Sequence, residues 1–599
     1  MLYPRLRRWL ELPRSRLYVA CLSLLLSLPS LTIGLQADDY GIAARVHSDP
    51  FGAFRFDPPD QNRTQAVEDE RRLQLPWWTN PHQSQAFFRP LASFSHWVDF
   101  RLWPNTPWLM HLENILLYAG LIVLVGATYR QLMVEPGQRV RTENADGVRR
   151  GSADDRAAKA SNVAAGFSLF FYAFNGFQSM SVGWIAGRNT MLQAWFGLLC
   201  VLLHDRARRV RDLRNATFAG LCFVGALLSG EGGIACLGYL LAHALVRDSA
   251  SVARRALALA PYMVIIIVWR LYYVSHGYGA IGLGFYRDLG SDPIGLLQAL
   301  GAALVIQLAA QLTVPFAGLS LMFPHSLGIC FGVALLFFVL LAPRLWPLIQ
   351  ADVIARFFAL GALLSAFPLA ATLPGDRLVF FTGFGVSGLL GRLLSNGLHA
   401  PTRAGRFVLG WLWRSHAIYV PLLFVPALFA CSATLLLGGG AKALDDAVPR
   451  ASRPAQVLIN SPSTLLQSFQ REMRTHAGAA QPSVMMLYAG NGEVRVSRPA
   501  ERALELFVAR GWLATPIERA LRDPERYPFV RGQSLTWQAA HATILDLNAR
   551  GAPTRVRFDF ESSLDSGQLG WLSWGRAGLS VWKPPRIGEL VVLAAVPPL

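Results

Sequence analysis

The chain has 599 residues, of which 53% are hydrophobic and 16% charged, and its mean hydropathy is +0.33. Apolar runs of about 15 to 25 residues recur through residues 1–440, and about 18 or more in one run mark a helix that crosses a bilayer. A soluble enzyme, a disordered chain and a secreted disulfide scaffold are excluded. The formal net charge of +18 would suggest nucleic acid in a soluble protein. Here the arginines stand in loops between apolar runs, where they set topology, so no nucleic-acid partner is expected. Cys21, Cys200, Cys222, Cys236, Cys330 and Cys431 lie in or beside apolar segments and offer neither a disulfide framework nor a zinc motif.

Arg5, Arg7, Arg8, Arg14 and Arg16 precede the first apolar run, Leu17 to Leu35. Many spans follow it, so it reads as an anchor rather than a cleaved signal peptide. The N-terminus is then cytoplasmic and the long, acid-rich loop 36–106 lies outside. A span near 107–128 leads to the basic stretch 129–160, and spans near 162–181 and 189–204 lead to Arg206, Arg208, Arg209, Arg211 and Arg214. Another pair, 215–229 and 232–247, ends at Arg247, Arg254 and Arg255. Basic loops therefore fall on one side at each of these turns. A span near 256–274 leads to a second outer loop, 275–297. The apolar stretch 298–322 is interrupted by Gln307, Gln311 and Pro315 and is expected to be re-entrant. Spans near 326–342, 357–373, 377–396 and 415–437 complete about eleven or twelve.

From residue 439 to 599 the composition becomes that of a globular domain. Val556, Phe558 and Phe560 alternate with polar residues, as in a half-buried strand, while Leu465, Leu466, Phe469 and Met473 recur at helical spacing. Gly511 and Gly551 resemble helix stops. The fold class is thus an α-helical polytopic membrane protein (domain 1–438) with a C-terminal extracytoplasmic α+β domain (439–599).

Few charges stand at the outer ends of the spans. They are Asp38 and Asp39 after the first, Arg188 in a short turn, Glu231 between glycines, and Asp376 with Arg377. Ionisable groups at membrane edges are functional candidates, although each can also snorkel into interfacial water. Two adjacent carboxylates at the end of a span suit a general base. The loop histidines His47, His82 and His96 match no zinc spacing and read as exposed polar residues. Trp77, Trp78, Trp97, Trp103 and Trp108 read as interfacial anchors.

Asp38-Asp39-Tyr40 resembles the acidic first-loop motif of GT-C glycosyltransferases, closest to the protein O-mannosyltransferase and transmembrane tetratricopeptide mannosyltransferase group. Phe88-Arg89-Pro90-Leu91 is similar to that group's aromatic-Arg-Pro-Leu segment, and His111-Leu112-Glu113-Asn114 to its His-x-x-Asn span. Trp184-Ile185-Ala186-Gly187-Arg188-Asn189 resembles its Gly-Arg turn. Gly230-Glu231 stands where the group has Lys-Glu, and Asp376-Arg377 resembles its acidic-Arg turn. The likeness runs over about 35–395. It departs where the group has an Asn, since Arg45, Val46 and His47 stand there, and where the group has a tetratricopeptide array.

The resemblance implies transfer of a sugar from a polyprenyl-phosphate donor to a hydroxyl acceptor, protein or glycan, on the outer side with inversion. A lipid phosphate leaves without a protonating acid, unlike the two-carboxylate glycosidase pattern, so one base and some cations suffice. Asp39 is the expected base, with Asp38 as partner or substitute. Arg188 and Arg377 are the expected phosphate contacts, with Arg89, Arg287, His111, Glu231 and Asp376 in support. No cofactor is expected, and a divalent metal is left open. The partners are the polyprenyl-phosphate sugar, the acceptor and membrane lipids, in a bacterial inner membrane. A transporter predicts matched halves, and a lipid-linked ligase or polymerase carries its large loop late. A non-catalytic scaffold for residues 439–599 is the remaining rival.

Overall fold

The computed structural model describes residues 2–12, 14–57, 64, 75–134, 152–176, 178–284, 286, 293–312, 326–372, 375, 378–395, 402–434, 437–449, 455–481 and 483–596. Among them, five helices are long and apolar enough to cross a membrane: Ser15–Thr32, Pro107–Leu132, Val252–Ser275, Pro293–Leu312 and Leu327–Ala351. Shorter apolar helices run over Leu213–Ser229, Val353–Leu369 and Phe380–Ser395. The helices Ser152–Ala173 and Arg188–Val210 fall at the expected third and fourth spans. The chain is a polytopic helical membrane protein with a sheet-rich C-terminal domain.

Two boundaries differ from expectation for identifiable reasons. The helix expected to end near 342 continues through Pro343 and Pro347 to Ala351. It turns only at Asp352, whose carboxylate accepts from Ile354 N and Ala355 N to start the next helix. The last expected span, 415–437, is not one helix: the helix Arg403–Arg414 precedes it, and a π-turn Ser415–Tyr419 and three short pieces between Val420 and Ala433 follow. Pro421 and Pro426 remove backbone donors there and prevent one continuous helix. The re-entrant stretch 298–322 is helical up to Leu312; residues 313–325 lie outside the described residues.

Small residues let the central helices approach closely. A Cβ on Gly391 would meet Ser168 and Ala164, and one on Gly388 would meet the Phe358 ring. Tyr118 and Tyr129 carry their hydroxyls to backbone carbonyls, Tyr118 to Ala173 O at 2.8 Å and Tyr129 to Phe384 O at 2.6 Å. No polar group of these side chains is left facing hydrocarbon.

The strands in chain order are β1 (Arg55–Asp57), β2 (Ser84–Ala86), β3 (Gly279–Ile281), β4 (Ala455–Leu458), β5 (Val484–Met486), β6 (Val494–Ala500), β7 (Ala503–Phe507), β8 (Ser534–Trp537), β9 (Ala540–Leu547), β10 (Pro553–Phe560), β11 (Leu569–Gly575), β12 (Gly578–Val581) and β13 (Leu590–Leu593). β1–β2–β3 form a small sheet that ties the loop 36–106 to the loop after Ser275. The C-terminal domain has a six-stranded antiparallel sheet, β13-β6-β7-β10-β9-β8, and a four-stranded sheet, β12-β11-β4-β5. β4 pairs parallel with β5, and the helix Leu466–His476 makes the crossover between them. Val556, Phe558 and Phe560 are buried on β10, as their alternation predicts. Gly551 ends no helix; at φ +73° it turns the chain between β9 and β10. Gly511, at φ +79°, makes a turn after β7.

The described residues of the first loop share a core with the C-terminal domain. Trp77 and Trp78, expected at the lipid interface, are instead buried in a core shared by both. Trp77 Nε1 donates to Leu487 O at 3.0 Å, and its ring meets Trp78, Trp512, Phe529 and Phe558. Trp537 Nε1 donates to Leu75 O at 3.1 Å, and Asn80 N to Leu521 O at 3.0 Å. Trp108, by contrast, is 48% exposed at the start of its helix. Truncating Trp77 to Ala is expected to destabilise the docked domain by about 3–5 kcal/mol. Intrinsic-fluorescence melts and limited proteolysis would read this, and an unchanged melt would show that docking does not depend on Trp77.

Candidate functional site

The first span ends in a short 3-10 turn, Leu28–Thr32, and a short irregular link leads to the helix Asp38–Val46. Ala37, just before that helix, has φ 46° and ψ −119°, a strained backbone for a residue with a Cβ. The turn places the two adjacent acids very differently. Asp39 is 1% exposed, and both its oxygens are held by backbone donors. Oδ1 accepts from Ala186 N at 2.7 Å and Oδ2 from Gln36 N at 3.0 Å. Burial pushes its pKa well above the usual carboxylate range, against the pull of the two backbone donors. Asp38 stands half-buried at the first turn of the same helix.

Three of the sequence motifs meet at this point. Gln36 Nε2 donates to Gly183 O at 2.8 Å, and His111 Nε2 lies 2.9 Å from Gly34 O. Asn114 Nδ2 donates to Trp184 O at 3.1 Å, while its Oδ1 accepts from Arg188 Nε at 2.7 Å. The acidic loop, the His-x-x-Asn helix and the Gly-Arg turn are therefore one hydrogen-bonded unit.

Arg188 is buried at the centre of that unit. Besides Asn114, it donates from Nη2 to Met110 O at 3.1 Å. Its Nη1 lies 2.7 Å from Asp99 Oδ2 and 3.2 Å from Glu113 Oε2. Burial would raise the Asp99 pKa, but the guanidinium beside it holds the carboxyl below its ordinary range. His96, expected to be exposed, is fully buried with Nδ1 3.8 Å from the same carboxylate. Burial keeps its ring pKa below the ordinary histidine value, with the Asp99 contact opposing. His47 and His82 are exposed, as expected.

A second cluster joins Arg89 and Glu231, which lie far apart in sequence. Arg89 Nε donates to Glu231 Oε2 at 2.8 Å, and Tyr273 OH donates to Glu231 Oε1 at 3.3 Å. The guanidinium lies 4.4 Å from the centre of the Phe87 ring and 5.0 Å from that of Phe54. Gly230 has φ +157°, and a Cβ there would run into the Gln193 carboxamide. Arg89 Nε is 3.5 Å from that same point. Arg287, Asp376 and Arg377 lie outside the described residues.

Asp99, His96 and Glu472 are titratable groups at or near this site that were not candidates from sequence. Asp99 was findable in principle, because a buried Arg188 requires a counter-charge. Nothing in the spacing connects Glu472, in the C-terminal domain, to the first loop.

No protein-family model matches the chain, and no curated protein matches it. Among solved structures it is similar to ArnT from Cupriavidus metallidurans bound to undecaprenyl phosphate, with a TM-score of 0.36 and 12% identity. That alignment covers 90% of this chain and 97% of the other.

Replacing Arg188 by Ala leaves Asp99 buried without its counter-charge and is expected to destabilise the protein by about 3–5 kcal/mol. Thermal unfolding in detergent reads this. A variant that melts with the wild type would show that Arg188 is not the tie.

Proposed function

We propose that this protein is a membrane glycosyltransferase of the GT-C class. It moves a sugar from a polyprenyl-phosphate donor to a hydroxyl acceptor at the membrane face that carries the C-terminal domain. The observation that supports it most is the junction of Asp39, Asn114 and Arg188. Motifs that resemble the family's in sequence order are linked by direct hydrogen bonds, and the half-buried Asp38 stands next to them in the chain.

The roles follow from burial. Asp39, held by two backbone donors, positions the loop, and Asp38 is the base. Arg188 has carboxylates and carbonyls around it and positions the turn rather than meeting phosphate. Arg89 is the cation at the place where the resembled family has lysine, since its guanidinium approaches the point from which a side chain at 230 would start. Arg377 and Arg287 are assigned to the phosphate, and Asp376 to their support, on sequence alone. His111 holds the end of the first span through Gly34, and Glu231 orients Arg89.

In the reaction, the acceptor hydroxyl gives its proton to Asp38 as its oxygen attacks the anomeric carbon from the face opposite the phosphate. The bond from that carbon to the phosphate oxygen breaks, and the electron pair leaves with the lipid phosphate. The configuration inverts. Arginine suits the developing phosphate charge because its planar fork matches two oxygens at once.

Substituting Asp38 by Asn is expected to lower transfer by about 10²–10⁴-fold while leaving the protein folded. The assay supplies membranes with radiolabelled polyprenyl-phosphate sugars. A fully active Asp38→Asn protein would remove the base assignment. No transfer by the wild type from any donor tested would remove the transferase reading.

A further inference from the structure

The helix Asp38–Val46 carries Asp38, Gly41 and Arg45 at i, i+3 and i+7, stacked on one face. The helix Leu466–His476 of the C-terminal domain packs against it. Glu472 Oε1 lies 3.3 Å from Arg45 Nη1. The same carboxylate rests on Gly41, where a Cβ would collide with it. Arg45 is held on its other side, with Nε donating to Ala53 O at 3.0 Å and the guanidinium 4.4 Å from the Phe56 ring centre. The His476 ring, one turn further along, packs on Tyr40 and Phe100.

Two carboxylates from different domains, Asp38 and Glu472, thus act on one helix face beside Arg45. The charged groups that act on Glu472 are Arg45 and Asp38 on the loop helix; on its own helix His476 packs on Tyr40, and Arg474 pairs with Asp445 of the adjoining helix Gly438–Ala447 at 2.6 Å. Burial pushes Glu472 up to about 7, with Arg45 opposing and Asp38 adding to the rise. A domain that only had to dock would do so better with an apolar residue here, because a carboxylate set beside another is unfavourable in a partly buried contact. Local rules are broken in this way chiefly where function requires it.

We propose that Glu472 is a positioning residue for transfer at Asp38, so that the C-terminal domain completes the catalytic site. The inference rests on the transferase reading above. Glu472 holds Arg45 and so fixes the helix that presents Asp38. Its ionised form also places a negative charge on the face from which Asp38 receives the acceptor's proton. Gly41 is required because any side chain there would displace Glu472.

The test uses full-length protein in nanodiscs. Transfer from radiolabelled polyprenyl-phosphate sugar is measured from pH 5 to about 9 for wild type, Glu472→Gln and Glu472→Asp. Unfolding midpoints are taken for the same proteins, for Asp38→Asn and for the Asp38→Asn/Glu472→Gln double variant. Glu472→Gln is expected to lose about 10²-fold in kcat, with the donor KM unchanged and the rise in rate through about pH 7 removed. Glu472→Asp should restore part of both.

The midpoints carry an independent sign. An acid whose folded pKa is raised favours the folded state when protonated. Wild-type stability should therefore fall as pH rises from about 4.5 to about 7. The share of that fall due to Glu472 should be missing in Glu472→Gln, leaving the fall smaller there than in wild type because Asp39 also has a raised pKa, and it should be smaller in Asp38→Asn too. A folded Glu472→Gln protein with wild-type rate and pH profile overturns the inference and leaves the transferase reading standing. A lowered midpoint with an unchanged profile reduces Glu472 to a docking salt bridge and overturns it equally. Additive midpoint changes in the double variant remove the coupling to Asp38. A wild type that transfers nothing, while Asp38→Asn and Glu472→Gln are folded, fails the transferase reading itself.

Discussion

The site depends on a carboxylate that cannot reach solvent. Asp39 accepts hydrogen bonds from Gln36 N and Ala186 N, and these two contacts join the end of the first span to the turn before the helix Arg188–Val210. A buried carboxylate without donors would be strongly unfavourable, so the backbone on both sides must arrive together. Arg188 makes the same demand from the other side through Asn114, Asp99 and Glu113. The two groups over-determine the position of the loop, which is the condition under which strain such as that at Ala37 survives.

This arrangement divides the labour of two adjacent acids. In a helix, neighbouring residues point about 100° apart, so one can be sealed in the interior while the next faces the margin. Asp39 is sealed and Asp38 is not. Their surroundings differ accordingly: both oxygens of Asp39 are engaged by backbone donors, whereas Asp38 is half-buried. The same principle separates the arginines. Arg188 is saturated by its neighbours, whereas Arg89 is held through Nε by Glu231 beside aromatic rings.

The C-terminal domain is part of this economy of contacts. Its core is continuous with that of the first loop through Trp77, Trp78 and Trp512. Its helix Leu466–His476 lies against the helix that begins at Asp38. In the proposed reading, the donor lipid is met by the span ends and the acceptor side is bounded by this domain, so the two substrates approach from different layers.

Apolar run length and the arginine-rich loops made the membrane class, most span positions and the globular C-terminal region legible in the sequence. Bilayer thickness and the exclusion of charge from hydrocarbon act on composition directly. The alternation over Val556–Phe560 gave its strand for the same reason, because burial of one sheet face has a period of two residues. Motif order likewise brought Asp38, Asp39, His111, Arg188, Arg89 and Glu231 into view. Which of the two acids is sealed, that Arg188 is enclosed by Asp99 and Glu113, and that Glu472 reaches Arg45 from a separate domain were decided by tertiary structure alone. Burial and ion pairing depend on which distant segments pack together, and sequence spacing carries no record of that distance.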